Sequence, residues 1–499
     1  MPSWLLLLLI IGGSFAIKIP ALNLPLAGYF GSYQAGCGMI AEMMRWHSLS
    51  SLIVPRSFVL EGQEPGMKLL YYPFGSLIAA GLRAWFGGNL DFWGHFQAAG
   101  FILLASILVY LIAKRIFEEK IGLISSFLFS FSPMVLLTGV TWLNEAIALF
   151  FLLLSFLLLD AKSSWAIFIS GLIFSCALVA RLHFVLCIPA FWLYLMLFRE
   201  KERAKGLLLF SIGASVLVTA WFGFVWYLGQ KDEGVLTSLF SQMGEGRILI
   251  HPLIHTKGFY ERIWNILAEQ WLTPLALPFL VLGLVPWNRR SAIFLVWLGC
   301  SLTTIVLLPQ KVHDHPFYLI AGVPAAAVLA AVAASNMLAS VSRAARAFLL
   351  AAFLIASLRY YIPAGILSRA DGYRIQHIGR KVQELTREED RIIASFGSSG
   401  ELLYYSKRLG WPFYLKMSEN TLADTQERHL KKRALGYGDP IAWLEYLRGQ
   451  GAAYLVIADP RELAQVRGFA GYLKTNYSEI GIPGESFLMF DLRSKKPLA

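Results

Sequence analysis

The strongest constraint in this sequence is a series of long apolar runs, each closed by polar or basic residues. The run 95–113 ends in Lys114-Arg115, 165–180 ends at Arg181, and 182–198 ends at Arg199. The run 206–228 follows a basic stretch holding Arg199, Lys201, Arg203 and Lys205. Further runs cover 121–140, 146–159, 271–287, 292–308, 317–338 and 348–362. About twenty apolar residues in a helix cross a bilayer core. Only 15% of the 499 residues are charged and 57% are hydrophobic, whereas roughly a quarter of an ordinary soluble chain is charged. No soluble core hides that much apolar surface, which excludes a cytosolic enzyme and a disordered chain. The chain reads as a polytopic α-helical membrane protein.

Charge placement orients it. With the N-terminus inside, Lys114, Arg115, Lys120, Lys162, the 199–205 loop, Arg289, Arg290, Arg343 and Arg346 all fall on one side, as the positive-inside rule requires. The net charge of +12 follows from those loops and needs no nucleic acid. The apolar start at 4–17 lacks the basic leader of a signal peptide, so it is read as an uncleaved first transmembrane helix. The scheme also requires 68–86, with Pro73, Gly75, Gly81 and Arg83, to lie in the interface rather than cross. That gives about eleven crossings and an outer C-terminus.

The expected organisation is a transmembrane domain over 1–366 and an extracytoplasmic α/β domain over 367–499. Two long outer loops interrupt the first, at 23–94 and 229–270. Within the first loop, 32–48 reads as an amphipathic helix. In the tail, 391–396, 453–458 and 486–492 read as strands, and 374–387 and 440–449 as helices. Cys37, Cys176, Cys187 and Cys300 have no metal-ligand spacing, so neither a disulfide framework nor a metal cluster is expected.

No P-loop, dinucleotide fingerprint, His-Glu-x-x-His or Gly-x-Ser-x-Gly is present. The informative residues are polar groups where apolar helices meet the outer face, because charge there is costly. Several motifs also occur in a recognisable order: Phe30-Gly-Ser-Tyr-Gln34, then Met39-Ile-Ala-Glu-Met-Met, Val54-Pro-Arg56 and Lys68-Leu-Leu-Tyr-Tyr-Pro73. Next come Phe131-Ser-Pro133, Trp142-Leu-Asn-Glu145 and His313-Asp-His-Pro-Phe-Tyr318, and in the tail Leu402-Leu-Tyr-Tyr-Ser-Lys-Arg408. In this order they resemble the GT-C glycosyltransferases that use polyprenyl-phosphate sugars, including protein O-mannosyltransferases and lipid A aminoarabinose transferases. The resemblance covers nearly the whole chain. It implies a GT-C-like fold and transfer of a sugar from a lipid-phosphate donor to an extracytoplasmic lipid, glycan or protein.

Such a reaction needs cations for the phosphate and a carboxylate for the acceptor proton. The resemblance implies Glu145 as an acid of the active cavity; the alternative is a helix N-terminal charge with Asn144 as cap. Glu64 and Lys68 are implied near the donor phosphate, or form a solvated i,i+4 ion pair. Arg181 pairs with the phosphate, or snorkels to headgroups. His313, His315 and Tyr318 hydrogen-bond donor phosphate or sugar, or belong to a plain interfacial loop. His251, His255, Arg247, Lys257 and Arg262 form either a basic headgroup-facing loop or a lid. Trp142, Trp226, Trp271 and Trp287 read as interfacial belt residues. The family's first outer loop carries its acid at the segment matching 28–34, where this chain has Gln34 and no carboxylate. Glu42, Glu64 or Glu145 then takes that role, or the acceptor needs little activation, or the chain is a non-catalytic lipid-sugar binder or flippase-like transporter. A polysaccharide polymerase or ligase shares the donor class but not this motif order. No cofactor is expected and a divalent metal is not indicated. The expected partners are a polyprenyl-phosphate sugar, an extracytoplasmic acceptor and the bilayer, in a prokaryotic inner membrane.

Overall fold

The computed structural model describes residues 2–28, 30–46, 54–61, 63–161, 163–198, 203–231, 252–285, 289–395, 399–413, 439–464, 466, 468–481 and 484–496. His251, Arg247, Trp287, Lys162, Arg199 and Lys201 therefore lie outside the described residues. The chain divides into two compact units. One comprises Met1–Asn23, Leu69–Ile78 and Phe92–Leu367; the other comprises Leu24–Lys68, Ala79–Asp91 and Ser368–Ala499. One break between the units falls between Leu367 and Ser368, and the segment 23–94 contributes residues to both units.

The first unit is helical. Among the described residues, Ser3–Ala21, Leu90–Ile116, Arg203–Lys231, Pro316–Met337 and Arg343–Ile366 are long and apolar enough to cross a membrane. Glu145–Leu158, Ser164–Ala180, Leu182–Phe198 and Ser291–Leu307 are shorter apolar helices. Two expected continuous runs are interrupted. The 121–140 run stops at Pro133, giving Glu119–Ser130 and Pro133–Thr138. The 271–287 run bends by 98° between Lys257–Trp271 and Thr273–Gly283, where Thr273 adopts a φ of 66°. Pro274 follows it, and a proline disfavours α geometry in the residue before it. The helix in 68–86 begins only after Pro73, as Phe74–Phe86.

Small residues set the helix crossings. A Cβ at Gly171, on the Ser164–Ala180 helix, would lie 2.3 Å from the Phe210 carbonyl oxygen. One at Gly213, on the Arg203–Lys231 helix, would lie 2.4 Å from the Phe168 carbonyl oxygen. The two backbones touch at reciprocal glycines, the usual way membrane helices gain close packing. Trp142 and Trp271 need a correction of the belt reading: both are fully buried. The Trp142 ring fills the space a Cβ at Gly94 would occupy, and the Trp271 ring lies against Gly322. Trp226 is exposed.

Among the described residues, the second unit is built on a seven-stranded mixed sheet. Its strands are β1 (Arg56–Glu61), β2 (Glu64–Met67), β3 (Arg391–Ser395), β4 (Gly410–Phe413), β5 (Ala452–Ile457), β6 (Ser478–Glu479) and β7 (Leu488–Asp491). The order is β2-β1-β4-β3-β5-β7-β6. β3 runs parallel to β4 and β5, while β7 is antiparallel to β5 and β6. β5 is buried along its whole length, the uninterrupted apolar pattern of a strand covered on both faces. β1, from the first loop, pairs in parallel with β4, which places that loop segment in the same sheet as the tail. Ile393, Trp411, Leu444, Leu455, Phe469 and Phe490 form part of the core on this sheet.

Buried acids in this unit are partnered. Tyr404 and Tyr405 donate to the two oxygens of Asp91 at 2.6 and 2.9 Å, and the Tyr405 hydroxyl accepts from the Leu26 amide. Glu42, 2% exposed, pairs with Arg83 at 2.5 Å and Lys407 at 3.5 Å. Nearer the surface, Glu445 accepts from Tyr472, Tyr477, Arg448 and Lys495. Burial pushes its carboxyl up, but these donors outweigh burial and hold it at about 2, below its usual 4.5. A carboxylate depressed in the fold contributes stability above its unfolded pKa and loses it as pH falls through the folded value. The stability advantage of wild type over Glu445→Gln is expected to be full above pH 4.5 and to shrink towards pH 2. Thermal melting of both proteins across that range tests it; a pH-independent difference contradicts it.

Candidate functional site

Three segments of the helical unit converge on one buried ion pair. Glu145 opens the Glu145–Leu158 helix and is 0% exposed. Arg181 sits at the end of the Ser164–Ala180 helix in extended geometry, where the chain changes to a 3-10 turn, Leu182–Cys187. Its guanidinium meets Glu145 edge on: Nε lies 2.6 Å from Oε1, and Nη2 donates to Oε2 at 2.8 Å. This two-point geometry fixes the guanidinium plane as well as its charge. Asn144 leaves the helix end uncapped by its side chain. Its amide instead accepts from the Gly75 N–H and donates to the Tyr72 carbonyl.

The third segment is the stretch just before the Phe74–Phe86 helix. The Tyr72 amide donates to the Val179 carbonyl at 3.0 Å, and the Trp221 indole donates to the Leu69 carbonyl at 3.2 Å. These bonds hold Tyr71 against Arg181, whose guanidinium carbon lies 4.6 Å from the ring centroid. The Phe317 ring is 5.8 Å from the same carbon. The Tyr71 and Tyr318 hydroxyls are hydrogen-bond partners. Tyr318 in turn lies 4.8 Å, ring to ring, from His183. Glu145 accepts the Nη2 hydrogen bond, while its approach to Nε is a close ion-pair contact without hydrogen-bond geometry; neither contact uses Nη1. The arrangement is a pre-oriented cation, stacked on an aromatic face, with a donor left for an anion.

The other sequence-predicted residues divide between the units. His315 stacks on Phe317 at 5.4 Å and lies 6.5 Å from Tyr318. Burial, reinforced by Lys311, holds its imidazole down at about 4, so the ring is neutral at physiological pH. His313 lies in the last turn of the short Pro309–Asp314 helix, not in a loop. It pairs with Asp314 at 2.8 Å and stacks on Phe259. Gln34, Glu64 and Lys68 belong to the sheet-containing unit. Gln34 is buried on the Gly31–Trp46 helix. Glu64 and Lys68 do not form an i,i+4 pair, because 64–67 is strand. Glu64 instead faces Arg56 across the hairpin at 3.6 Å, with its side chain 83% exposed. Of the lid-or-loop residues, Lys257 pairs with Glu261 on an exposed helix. No three His, Cys, Asp or Glu side chains converge on a metal-sized site among the described residues.

Sequence reasoning missed Tyr71, His183 and Phe317. The only local signal for His183 was its place two residues after Arg181, at the junction of two apolar runs.

The family described as dolichyl-phosphate-mannose-protein mannosyltransferase matches residues 73–226, a stretch that includes Glu145, Arg181 and His183. No curated protein matches the chain. Among solved structures, ArnT from Cupriavidus metallidurans bound to undecaprenyl phosphate superposes with a TM-score of 0.66 at 12% identity, covering 97% of each chain. Its apo form gives 0.62 with the same identity and coverage. The oligosaccharyltransferase AglB from Archaeoglobus fulgidus, in complex with an inhibitory peptide and a dolichol-phosphate, gives 0.55 at 13% identity. That likeness covers 97% of this chain and 74% of AglB.

Proposed function

We propose that this chain, a member of the GT-C superfamily by its fold, is an integral membrane glycosyltransferase that moves a sugar from a polyprenyl-phosphate donor to an extracytoplasmic acceptor. The observation that carries the reading is the Glu145–Arg181 pair, buried among apolar helices and stacked on Tyr71. A fully buried ion pair is weak evidence for stability, and intramembrane charge is retained mainly for function. In the reaction, the acceptor oxygen or nitrogen bonds to the anomeric carbon and the bond from that carbon to the phosphate oxygen breaks. The electron pair leaves with the lipid phosphate, and the acceptor proton passes to a base. Arg181 offers Nη1 to the charge growing on the phosphate, and Glu145 holds Arg181 in plane. His315 and Tyr318 line the same region; His313, Lys68, Gln34 and Glu64 are further candidate contacts to donor or acceptor.

The membrane scheme belongs to this proposal. Counting 119–138 and the bent pair as one crossing each, and adding the shorter apolar helices 145–158, 164–180, 182–198 and 291–307, gives about eleven crossings. The tail then lies outside, in a prokaryotic inner membrane.

A second reading has its own support. Glu42, Glu64 and Glu145, the three candidates for the missing first-loop acid, are each ion-paired. A paired carboxylate is a poor proton acceptor, which favours a lipid-sugar binder without catalysis. Incubating the purified protein with radiolabelled polyprenyl-phosphate sugars separates the two. Label is expected to leave the lipid with wild type. Tight binding with no release supports the binder, and neither binding nor release ends both readings.

A further inference from the structure

We propose that His183 is the residue that reads the donor's sugar, an assignment that rests on the glycosyltransferase reading above. His183 lies in the 3-10 turn Leu182–Cys187, two residues beyond Arg181, and is 9% exposed. Neither ring nitrogen makes a well-formed hydrogen bond among the described residues, and the backbone of Tyr318 lies close enough to interact with the ring. Buried polar side-chain atoms are almost always partnered, and each exception calls for a physical reason. An imidazole whose nitrogens lack well-formed hydrogen bonds carries an unmet desolvation cost. A ligand that arrives with hydroxyls offsets it.

Position and chemistry agree on which part of the ligand that is. The His183 ring is wedged between Phe184, edge to face at 4.9 Å, and Tyr318, at 4.8 Å. Tyr318 bonds to Tyr71, and Tyr71 carries the Arg181 guanidinium on its face. His183 is therefore two aromatic rings removed from the cation along this chain of contacts, and two residues from Arg181 in sequence. An uncharged imidazole presents one donor and one acceptor. A sugar hydroxyl also presents both, whereas a phosphate diester presents acceptors alone. No carboxylate contacts His183 among the described residues, so it lacks the orienting partner that a general-base histidine uses. The site is built to bind and discriminate, with the aromatic walls fixing the ring in advance of the ligand.

The test compares two ligands on the full-length protein in detergent: bare undecaprenyl phosphate, and undecaprenyl phosphate carrying a single hexose or pentose. His183→Phe keeps the aromatic packing and removes both polar atoms. It is expected to weaken the sugar-bearing ligands roughly tenfold and to leave the bare phosphate within about twofold. His183→Asn, which retains a donor and an acceptor, is expected to recover part of the loss and to reorder affinities among the sugars. Arg181→Gln is expected to weaken both ligands alike. Equal weakening of both ligands by His183→Phe, or no change in either, overturns the sugar assignment. If His183→Phe melts well below wild type, His183→Asn alone decides: sugar preferences identical to wild type overturn the assignment. Wild type that binds neither ligand overturns the glycosyltransferase reading, and this inference with it.

Discussion

Arg181→Gln is expected to abolish sugar release from a polyprenyl-phosphate donor and to lower stability by about 3–5 kcal/mol. The cost does not come from losing a favourable pair. It comes from leaving the Glu145 carboxylate 0% exposed with no cation against it. Glu145→Gln is expected to cost a similar amount, because it strands the guanidinium between Tyr71 and Phe317. The double variant Glu145→Met with Arg181→Met separates structure from function. Two well-packed apolar side chains commonly match or exceed a buried ion pair in stability, so the double variant is expected to melt near wild type and to remain inactive. Arg181→Lys keeps the charge but loses the planar fork that Glu145 grips, and is expected to fold with activity reduced. Thermal melting and label release on all four proteins are the measurements. Single variants that melt and transfer like wild type would show the pair to be incidental.

The two halves of that pair were legible in the sequence, and their partnership was not. Arg181 and Glu145 each interrupt apolar runs, where charge is expensive, so each drew attention alone. They stand 36 positions apart, and no local pattern joins them. Tyr71 is one of 20 tyrosines and gains meaning only from the bonds of Tyr72 and Leu69 that hold its segment in place. His183 was absorbed into an apolar run because one polar residue barely changes a window average. The tail strands β3, β5 and β7 were readable because buried strands carry continuous β-forming apolar runs. β1 and β2 were not: their sequence contains Pro65 and Gly66, and β1 gains its place by pairing with β4, about 350 residues later. The misread tryptophans follow the same logic. A belt rule describes where Trp is common in membrane proteins, but Trp142 is buried because Gly94 makes room for it. The bend at Thr273 did have a local marker in Pro274, set inside a run whose apolarity masked it.

Gly213→Leu is expected to lower transfer by roughly a hundredfold while leaving every proposed ligand contact chemically intact. The argument runs from packing to the site. The Gly213 Cβ position lies 2.4 Å from the Phe168 carbonyl oxygen and 2.9 Å from the Leu172 amide nitrogen. Both obstacles are backbone, so no rotamer change relieves them and the helices must separate. Overpacking of this kind costs about 1–3 kcal/mol. The helix that must move, Ser164–Ala180, carries Arg181 at its C-terminal end and accepts the Tyr72 amide at Val179. A shift there displaces the guanidinium from Glu145 and Tyr71, and a misplacement of about 1 Å can cost a factor of roughly a hundred. Gly223 on the same Arg203–Lys231 helix is the control, since a Cβ there meets nothing within 4 Å. Alanine exceeds glycine in helix propensity by about 1 kcal/mol, so Gly223→Ala is expected to hold or raise stability and Gly213→Ala to lower it. Melting temperatures of opposite sign for two identical substitutions on one helix would locate the effect in the crossing. Equal responses would mean that the crossing does not set the geometry of Arg181.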